Sequence, residues 1–439
     1  MRNLFVLATV LACSEQSVEP AAVDDKLHLT LPNDSLFLGR SMTPTVRTDS
    51  ASVANAQVTW STSDTNVVVV DSLGVVLGVG TGTATIKAEY DRGRSQRTVR
   101  VVLQRADGGV VFTDGSANDS RMCALASGVA YCRSAPKAGD STPLFTRMPG
   151  AAGLRFSAVE GSLYALCGLD ADGRALCWGS NQHFIFGHRS SVATDTGPVA
   201  VSTNLRFSAI THGGHAQSCG VSRADSLVYC WGHNDLYQLM RGNRVEDTTI
   251  TPVSGNLRGT MVSTSNASTC LLDLTGAAYC AGMSNVNRRR LGTEDATTPA
   301  EVGMPVTGGV RFSHISAGDT YQCGIAIGGD GYCWGNNSSG QLGIGTTVDP
   351  PTVGPLKVLG GLRFATLTTV YQKSACGITT GGDLYCWGQF APLSISSRLG
   401  TRASLPFHLA RGIKFKALTR NLQRLCGITT DGKALCWDP

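Results

Sequence analysis

The stretch CGITTGGDLYCWG, residues 376–388, decides the fold, because near copies of it recur along the chain. Six further copies begin at residues 123, 167, 219, 270, 323 and 426, so that successive copies start 44 to 53 residues apart. In six of the seven copies a phenylalanine stands eleven or twelve positions before the first cysteine, and the fourth copy has Gly259 there. A unit that repeats at this period predicts a repeat architecture.

The middle of each copy indicates an antiparallel hairpin. If the two cysteines face each other, a spacing of ten leaves a three-residue loop whose last residue needs a left-handed backbone, which favours glycine. The five copies with this spacing all have glycine at that position, namely Gly173, Gly276, Gly329, Gly382 and Gly432. The first copy leaves Ser127 and Gly128 as a two-residue turn, and the third leaves residues 223–226. The hairpin register therefore predicts the turn residues.

Cysteines that face each other across a hairpin lie within disulfide range. We therefore predict seven disulfides, each inside one hairpin: Cys123–Cys132, Cys167–Cys177, Cys219–Cys230, Cys270–Cys280, Cys323–Cys333, Cys376–Cys386 and Cys426–Cys436. Disulfides imply an oxidising compartment. Two alternatives stay open, namely reduced core thiols in a cytosolic protein, and zinc, for which the hairpins lack the additional ligands.

Strand alternation shows that the hairpin sheets need cover on both faces. In the sixth copy, Cys376, Ile378 and Cys386 share one side, whereas Tyr385 and Trp387 share the other. Both sides are apolar, and a propeller blade between two neighbouring blades buries both. We therefore read the tryptophans at positions 178, 231, 334 and 387 as packing residues between blades. The sequence does not indicate how the ring closes.

The repeats resemble the regulator of chromosome condensation repeat family. The fifth copy has that family's pattern most fully, at Cys323–Ile325, Trp334–Asn336 and Gly340–Gly343. The resemblance implies a seven-bladed β-propeller over residues 107–439. The family's best-known member is a guanine-nucleotide exchange factor that binds chromatin, whereas other family-like propellers are secreted and bind proteins by their loops. Because fold does not deliver function, the exchange activity is kept only as an alternative.

Residues 26–104 have a different pattern of short β runs rich in Val, Thr and Ile. The segments Val58–Ser61, Val67–Asp71, Gly74–Val76 and Gly80–Ile86 resemble the group 2 bacterial immunoglobulin-like domain. Such domains are typically spacers or adhesive modules on cell surfaces. We therefore expect an all-β chain, in which an N-terminal immunoglobulin-like β-sandwich precedes the seven-bladed β-propeller.

The first thirteen residues indicate export. Arg2 is followed by an apolar run over residues 4–12, which is too short to span a bilayer and typical of a signal peptide. The run ends in VLAC, residues 10–13, which resembles a bacterial lipobox and implies lipidation of Cys13. The alternative is a plain secretory signal. Residues 14–25 then form a tether, and we expect a lipid-anchored protein of the bacterial cell envelope, on the outer surface or in the periplasm, or otherwise a secreted one.

Neither the composition nor the individual charged residues indicate a nucleic-acid, metal or cofactor site. The net charge is +5 over 439 residues, and the only basic run is Arg288–Arg290, so we expect no nucleic-acid partner. Histidines concentrate at positions 183, 188, 212, 215 and 233, but nothing in the sequence shows three of them converging, so we expect no metal and no cofactor. Asp170–Gly173 lacks the continuation of a calcium loop and falls on a predicted turn.

The leading hypothesis is a non-catalytic binding module on the cell surface. Its partner would be a protein or a cell-wall glycan, its only membrane contact a lipid anchor, and its oligomeric state a monomer. The loops over residues 182–187 and 285–291 depart most from the repeat, so the candidate binding residues are His183, Phe184, Arg288 and Arg289. One alternative is an extracellular polysaccharide hydrolase or lyase that uses His212 and His215. The other is the exchange factor.

Overall fold

The computed structural model of the chain describes residues 26–38, 40–91, 93–102, 110–117, 121–134, 145–148, 150–151, 153–161, 165–188, 194–214, 216–282, 291–293, 300–370, 373–389, 404–420 and 425–437. The predicted signal with Cys13, the tether, His215, Arg288 and Arg289 lie outside these residues. The described part contains strands and three short 3-10 helices, at Asn55–Gln57, Gln182–Phe184 and Ser254–Asn256. None of its helical segments is long and apolar enough to cross a membrane.

Three small sheets form the N-terminal domain. Their strands, in chain order, are β1 (His28–Thr30), β2 (Ser35–Phe37), β3 (Ser41–Met42), β4 (Thr45–Arg47), β5 (Ser52–Val53), β6 (Thr59–Thr62), β7 (Val68–Val70), β8 (Val76–Gly78), β9 (Gly82–Tyr90) and β10 (Gly93–Val102). The sheet orders are β1-β4-β5, β2-β10-β9-β6 and β3-β8-β7.

The core of this domain is aliphatic, with Leu29, Ile86 and Val99 fully buried. Trp60 lies at its margin, donates Nε1–H to the carbonyl of Asn55 at 3.0 Å, and covers Gly74. A Cβ on Gly74 would lie 2.5 Å from the indole, which explains the glycine in the Gly74–Val76 motif.

Seven consecutive antiparallel sheets follow in the described residues. Sheet 1 has β11 (Asp114–Ala117), β12 (Arg121–Ala126), β13 (Val129–Ser134) and β14 (Thr146–Arg147); sheet 2 has β15 (Phe156–Gly161), β16 (Ala165–Asp170), β17 (Ala175–Gly179) and β18 (Thr194–Ala200); sheet 3 has β19 (Phe207–His212), β20 (Gln217–Ser222), β21 (Val228–Gly232) and β22 (Asp247–Pro252).

Sheet 4 has β23 (Gly259–Thr264), β24 (Ser268–Asp273), β25 (Ala278–Gly282) and β26 (Ala300–Pro305); sheet 5 has β27 (Phe312–Ala317), β28 (Tyr321–Ala326), β29 (Gly331–Gly335) and β30 (Leu356–Lys357). Sheet 6 has β31 (Phe364–Val370), β32 (Ser374–Thr379), β33 (Leu384–Gly388) and β34 (Phe407–His408); sheet 7 has β35 (Phe415–Arg420), β36 (Leu425–Thr429) and β37 (Ala434–Trp437). Each repeat of the sequence is therefore one up-and-down sheet.

The second and third strands of each sheet form the predicted cysteine hairpin. All seven predicted pairs are bonded, with their Cα atoms 4.0 to 4.1 Å apart. The five glycines predicted to be left-handed have φ between 81° and 95°. The two-residue turn of the first hairpin has positive φ at both positions, as a tight hairpin requires. The cysteine spacing and the turn residues thus agree with one register.

The recurring spacing between phenylalanine and cysteine comes from a contact inside each sheet. In sheet 6 the ring of Phe364 lies 2.6 Å from the place where a Cβ on Gly377 would stand, and four other sheets repeat this contact. Sheet 4 reverses the pair, because Gly259 replaces the phenylalanine and the fully buried Leu271 replaces the glycine. The fourth repeat therefore departs from the pattern by exchanging the large and the small residue between neighbouring strands.

A hydrogen bond between neighbouring sheets recurs around the ring. The backbone N–H at each phenylalanine position donates to a carbonyl in the hairpin turn of the preceding sheet, at 2.7 to 2.8 Å. The pairs are Phe156–Gly128, Phe207–Gly173, Gly259–Ser226, Phe312–Gly276, Phe364–Gly329, Phe415–Gly382 and Phe112–Gly432. The last pair joins sheet 1 to sheet 7. The first strands also touch in succession, including β11 with β35, so the ring is closed.

The N-terminal domain contacts sheet 6. The backbone N–H of Arg411 donates to the carbonyl of Val79 at 2.8 Å, and its guanidinium donates to the carbonyl of Thr65 at 2.9 Å. Phe407 packs against an aliphatic cluster that includes Leu77. An open cleft of about 850 Å³ runs along this contact, lined by residues of both domains. The immunoglobulin-like domain thus rests against the outer edge of one sheet.

Candidate functional site

The two ends of the sheets differ in loop length. The connections between third and fourth strands are long, for example residues 233–246 in sheet 3 and 336–355 in sheet 5. The hairpin turns between second and third strands, such as residues 274–277, are short. In an up-and-down sheet these two kinds of connection leave from opposite ends. We call the end with the long connections the loop face and the opposite end the turn face.

A buried asparagine holds the long loop in sheets 2, 3 and 5. Asn234 accepts the backbone N–H of Leu239 at 2.9 Å and donates to the carbonyls of Asn243 at 2.8 Å and Val245 at 3.2 Å. Equivalent bonds are made by Asn181, to Phe186 and His188, and by Asn337, to Leu342, Thr346 and Val348. A buried amide that is satisfied on both sides restrains the backbone around it.

The tryptophans connect each loop to the next sheet. Trp231 donates Nε1–H to the carbonyl of Ile185 at 2.7 Å, Trp334 donates to Leu291 at 3.1 Å, and Trp387 donates to Gln341 at 2.9 Å. In each case the acceptor belongs to the loop of the preceding sheet. Trp178 has no acceptor for Nε1 among the described residues. The tryptophans are therefore packing residues between sheets, as their pattern predicts, and three of them also donate hydrogen bonds to the loops.

The loop face brings two histidines and a glutamate together. His183, from the loop of sheet 2, donates from Nδ1 to Oε1 of Glu246 at 2.7 Å. His233, which follows the third strand of sheet 3, has its Nε2 3.4 Å from the same oxygen. The two imidazole rings lie 4.3 Å apart between centroids. His183 and His233 belong to the histidine concentration seen in the sequence, but their convergence was not predicted, and no motif in the sequence indicated Glu246.

Left-handed backbone shapes this loop. His183 and its neighbour Phe184 have φ of 58° and 64°, which is unusual for residues other than glycine. Gly232 permits the approach of the sheet 2 loop, because a Cβ there would lie 3.2 Å from the carbonyl of His183 and 2.4 Å from that of Ala216. Phe184 is half-buried next to this contact. Of the four candidate binding residues, the structure therefore describes His183 and Phe184.

Of the two histidines of the hydrolase alternative, His212 is the one that the structure describes, and it is enclosed by protein. His212 is buried, and burial lowers the pKa of its imidazole to about 3. Its Nδ1 lies 2.6 Å from Oγ of Ser218, and the sulfurs of the bonded Cys167–Cys177 pair lie close to its ring. A neutral imidazole enclosed by protein does not reach a substrate.

The calcium-like segment Asp170–Gly173 is a capped turn. Oδ1 of Asp170 accepts the backbone N–H groups of Asp172 at 3.0 Å and Arg174 at 2.9 Å, and Oδ2 accepts Nε–H of Arg174 at 2.6 Å. Burial raises the pKa of this carboxyl, but the hydrogen bonds from Arg174 outweigh it, so the pKa is lowered overall. Asp273 caps the equivalent turn in sheet 4 in the same way. The motif belongs to the hairpins.

Comparison with known proteins supports both parts of the fold. Residues 27–101 match the bacterial Ig-like domain (group 2). The ultraviolet-B receptor UVR8 of Arabidopsis thaliana is 28% identical over 207 residues, which is 45% of this chain and 45% of the receptor. RCC1 domain-containing protein 1 of Mus musculus is 26% identical over 255 residues, which is 54% of this chain and 64% of that protein. The matched part therefore covers less than two thirds of either relative's length.

Among solved structures, Prp20p of Saccharomyces cerevisiae superposes with a TM-score of 0.59 at 14% identity, and the match covers 73% of this chain and 81% of Prp20p. At that identity the likeness concerns the fold alone. The predicted all-β class, with a propeller after an immunoglobulin-like domain, is confirmed, whereas the number of blades stays a prediction. Residues 27–101 thus match a group 2 bacterial Ig-like domain, and the sheets that follow form a β-propeller similar in fold to those of RCC1-like proteins.

Proposed function

We propose that the chain is a non-catalytic binding module that recognises a protein partner with its loop face. The observation that supports this most is the restraint of the long loops by buried asparagines and tryptophans. A loop that is ordered before binding loses less conformational entropy in the complex, which favours affinity. The comparisons agree with a binding role, since Prp20p is a protein with described binding to Gsp1p and histones.

The loop face also offers apolar contact area. Val245 and Val348 hold equivalent places, because each supplies a carbonyl to the buried asparagine of its sheet. These two residues are 66% and 72% exposed. Beside Val245, the guanidinium of Arg244 lies 4.6 Å from the ring centroid of Tyr237. Arginine and tyrosine are the residue types that most often dominate protein interfaces.

The proposed place of action is an oxidising compartment, and the seven disulfides support it. Export, lipid attachment through Cys13 and a bacterial envelope location remain predictions of the N-terminal sequence. In this proposal the immunoglobulin-like domain is a spacer that presents the propeller. An oxidising location also argues against the exchange-factor alternative, because small GTPases act in the cytosol. A monomeric state remains a prediction as well.

The experiment compares two faces of one molecule. The full oxidised chain is used as bait for a surface extract, with bound proteins identified by cross-linking and mass spectrometry. The loop-face variant Val245→Asp/Val348→Asp is matched by the turn-face variant Leu274→Asp/Ile327→Asp, whose residues are 58% and 66% exposed. We expect a partner that the wild type and the turn-face variant retain and that the loop-face variant loses.

Two results would contradict the proposal. If the turn-face variant loses the partner and the loop-face variant keeps it, the wrong face has been assigned. If purified cell-wall glycans bind the chain while every protein is washed away, the partner is a carbohydrate. Turnover of such a glycan would in addition restore the hydrolase alternative.

A further inference from the structure

We propose that His183, His233 and Glu246 form a binding site for a zinc ion between sheets 2 and 3. The ligand atoms of these three side chains all lie within 4.8 Å of one another. They come from two neighbouring loops of the loop face, 63 residues apart in sequence at most. This inference is independent of the proposed partner, since metal binding is measured on the chain alone.

The distances between the histidine nitrogens and Oε1 of Glu246 are close to those between the ligand atoms of a zinc site. Zinc binds imidazole nitrogen and carboxylate oxygen at roughly 2.0 to 2.2 Å in a tetrahedron, so that its ligand atoms lie about 3.4 Å apart. Here Nε2 of His233 is 3.4 Å from Oε1 of Glu246, and Nδ1 of His183 is 2.7 Å from that oxygen. The second pair now shares a hydrogen bond. A small outward movement of one ring makes room for the ion, which then takes the place of the proton.

A second carboxylate orients one of the rings. Oδ1 of Asp235 lies 3.4 Å from Nδ1 of His233, on the side of the ring away from Glu246. Histidines that bind metals usually donate their other N–H to such a carboxylate, which presents the opposite nitrogen to the ion. Nε2 of Gln238 donates to the same Asp235 oxygen at 3.3 Å and also lies 3.3 Å from Nδ1 of His233, so the orienting role of Asp235 requires that this Nδ1 carries the proton. Asp235 is therefore a positioning residue for Nε2 of His233.

The backbone fixes the ligands in advance. His183 is left-handed, and its loop is bonded through Asn181 and lies against Gly232. Non-glycine residues in this region cost free energy and tend to occur where the surroundings hold a functional geometry. The side chains of His183 and Glu246 are 27% and 35% exposed, so an ion can reach them from solvent.

The ligand types favour zinc over calcium and magnesium. Two imidazoles and one carboxylate suit zinc, whereas calcium and magnesium prefer oxygen alone. Three protein ligands leave one tetrahedral position for water or for a carboxylate of a bound molecule. The other cluster of ligand atoms found among the described residues, Cys167, Cys177 and His212, does not compete, because its two sulfurs are bonded to each other.

The test is calorimetric titration of the chelator-treated, full oxidised chain with zinc chloride. We expect one zinc ion per chain for the wild type. His183→Asn and Glu246→Gln should abolish this binding, and asparagine tolerates the left-handed backbone at position 183. Asp235→Asn should weaken binding about 10- to 100-fold, as removal of an orienting partner does. The matched control is His28→Asn, which alters a histidine–carboxylate pair, His28–Asp49 at 2.5 Å, in the other domain.

A second measurement covers a variant that folds poorly. Cobalt titration of the wild type should give the strong visible absorption of a tetrahedral site, and this band should be missing in Glu246→Gln. The proposal is overturned if the wild type binds no zinc. It is equally overturned if His183→Asn and Glu246→Gln bind zinc as tightly as His28→Asn does.

Discussion

The hydrogen bond between neighbouring sheets can be tested by adding one methyl group. Gly276 lies in the hairpin turn of sheet 4 with φ of 82°, and its carbonyl accepts the backbone N–H of Phe312 at 2.7 Å. A Cβ at position 276 would stand 2.6 Å from the carbonyl oxygen of Phe312. We therefore expect Gly276→Ala to push sheet 5 away from sheet 4. Gly255 is the control, because its φ is 79° and no atom beyond its own chain neighbours lies within 4 Å of the place where its Cβ would stand.

Both variants place an alanine in the left-handed backbone region, but only Gly276→Ala also brings a Cβ against the carbonyl of Phe312. An alanine in the left-handed region costs about 1 to 2 kcal/mol, offset by about 0.4 to 1 kcal/mol from the less flexible unfolded chain. Gly255→Ala should therefore destabilise by about 1 kcal/mol. Gly276→Ala should cost about 1 kcal/mol more for the hydrogen bond and about 1 to 3 kcal/mol for the displaced packing of the buried Phe312.

Urea unfolding of the oxidised chain, followed by tryptophan fluorescence, measures this difference. Five of the six tryptophans belong to the repeats, so the signal reports on the propeller. We expect Gly276→Ala to lose about 2 to 4 kcal/mol of unfolding free energy beyond Gly255→Ala. If the two variants lose equal unfolding free energy, the junction between sheets 4 and 5 has room for a methyl group at position 276, and the reasoning is refuted.

Three further outcomes are expected. Peptide mapping without reductant should find every bridge inside one sheet, and a bridge between two sheets would contradict the hairpin register. Trp334→Phe should destabilise by about 1 kcal/mol more than Trp178→Phe, because only Trp334 of these two has an acceptor for Nε1–H among the described residues; similar urea midpoints would contradict this. The folded-state pKa of His212, about 3, lies below its unfolded value of 6.5. Between these two values the unfolded chain binds a proton at His212 that the folded chain does not bind. The free energy of unfolding therefore falls by about 1.4 kcal/mol per pH unit as the pH drops from 6.5 toward 3, and above pH 6.5 His212 has no effect on it. His212→Gln should flatten the pH dependence of unfolding over that range, and an unchanged slope would show that another group is responsible.

Local geometry explains why the hairpins were predictable. A hairpin with a three-residue loop requires a cysteine spacing of ten, a glycine at the third loop position and alternating apolar residues. All three features lie within one short segment of sequence. The turn at Gly382 and the bridge between Cys376 and Cys386 could therefore be predicted without knowing their surroundings. The structure places both as expected.

Side-chain contacts between strands were harder to predict, because the large and the small residue of a contacting pair can stand on either strand. The spacing of phenylalanine and cysteine was visible in the sequence, but its cause, the ring of Phe364 against Gly377, was not. The fourth repeat looked irregular for the same reason. There Gly259 and the buried Leu271 exchange the small and the large residue between two strands, an exchange that is tolerated where packing constrains total volume more than identity.

The position of Glu246 beside His183 in the proposed metal site could not be predicted from the motifs of the sequence. Glu246 lies 63 positions from His183 and precedes a fourth strand, in a loop with no motif of its own. Its position relative to His183 depends on which sheets are neighbours. A comparison of repeat positions could have found the pair, because consecutive repeats form adjacent sheets and their equivalent loops leave from the same end.

Closure of the ring follows from the same reasoning about repeats. The sequence showed no special segment for joining the first repeat to the last. The structure needs none at the turn face, since the backbone N–H of Phe112 donates to the carbonyl of Gly432 at 2.8 Å, as the other six junctions do. Phe112 also packs with Cys426 and Ile428 of sheet 7. A closing contact that is chemically equal to the internal ones makes the first and last sheets ordinary neighbours, and their shared core holds the ring together.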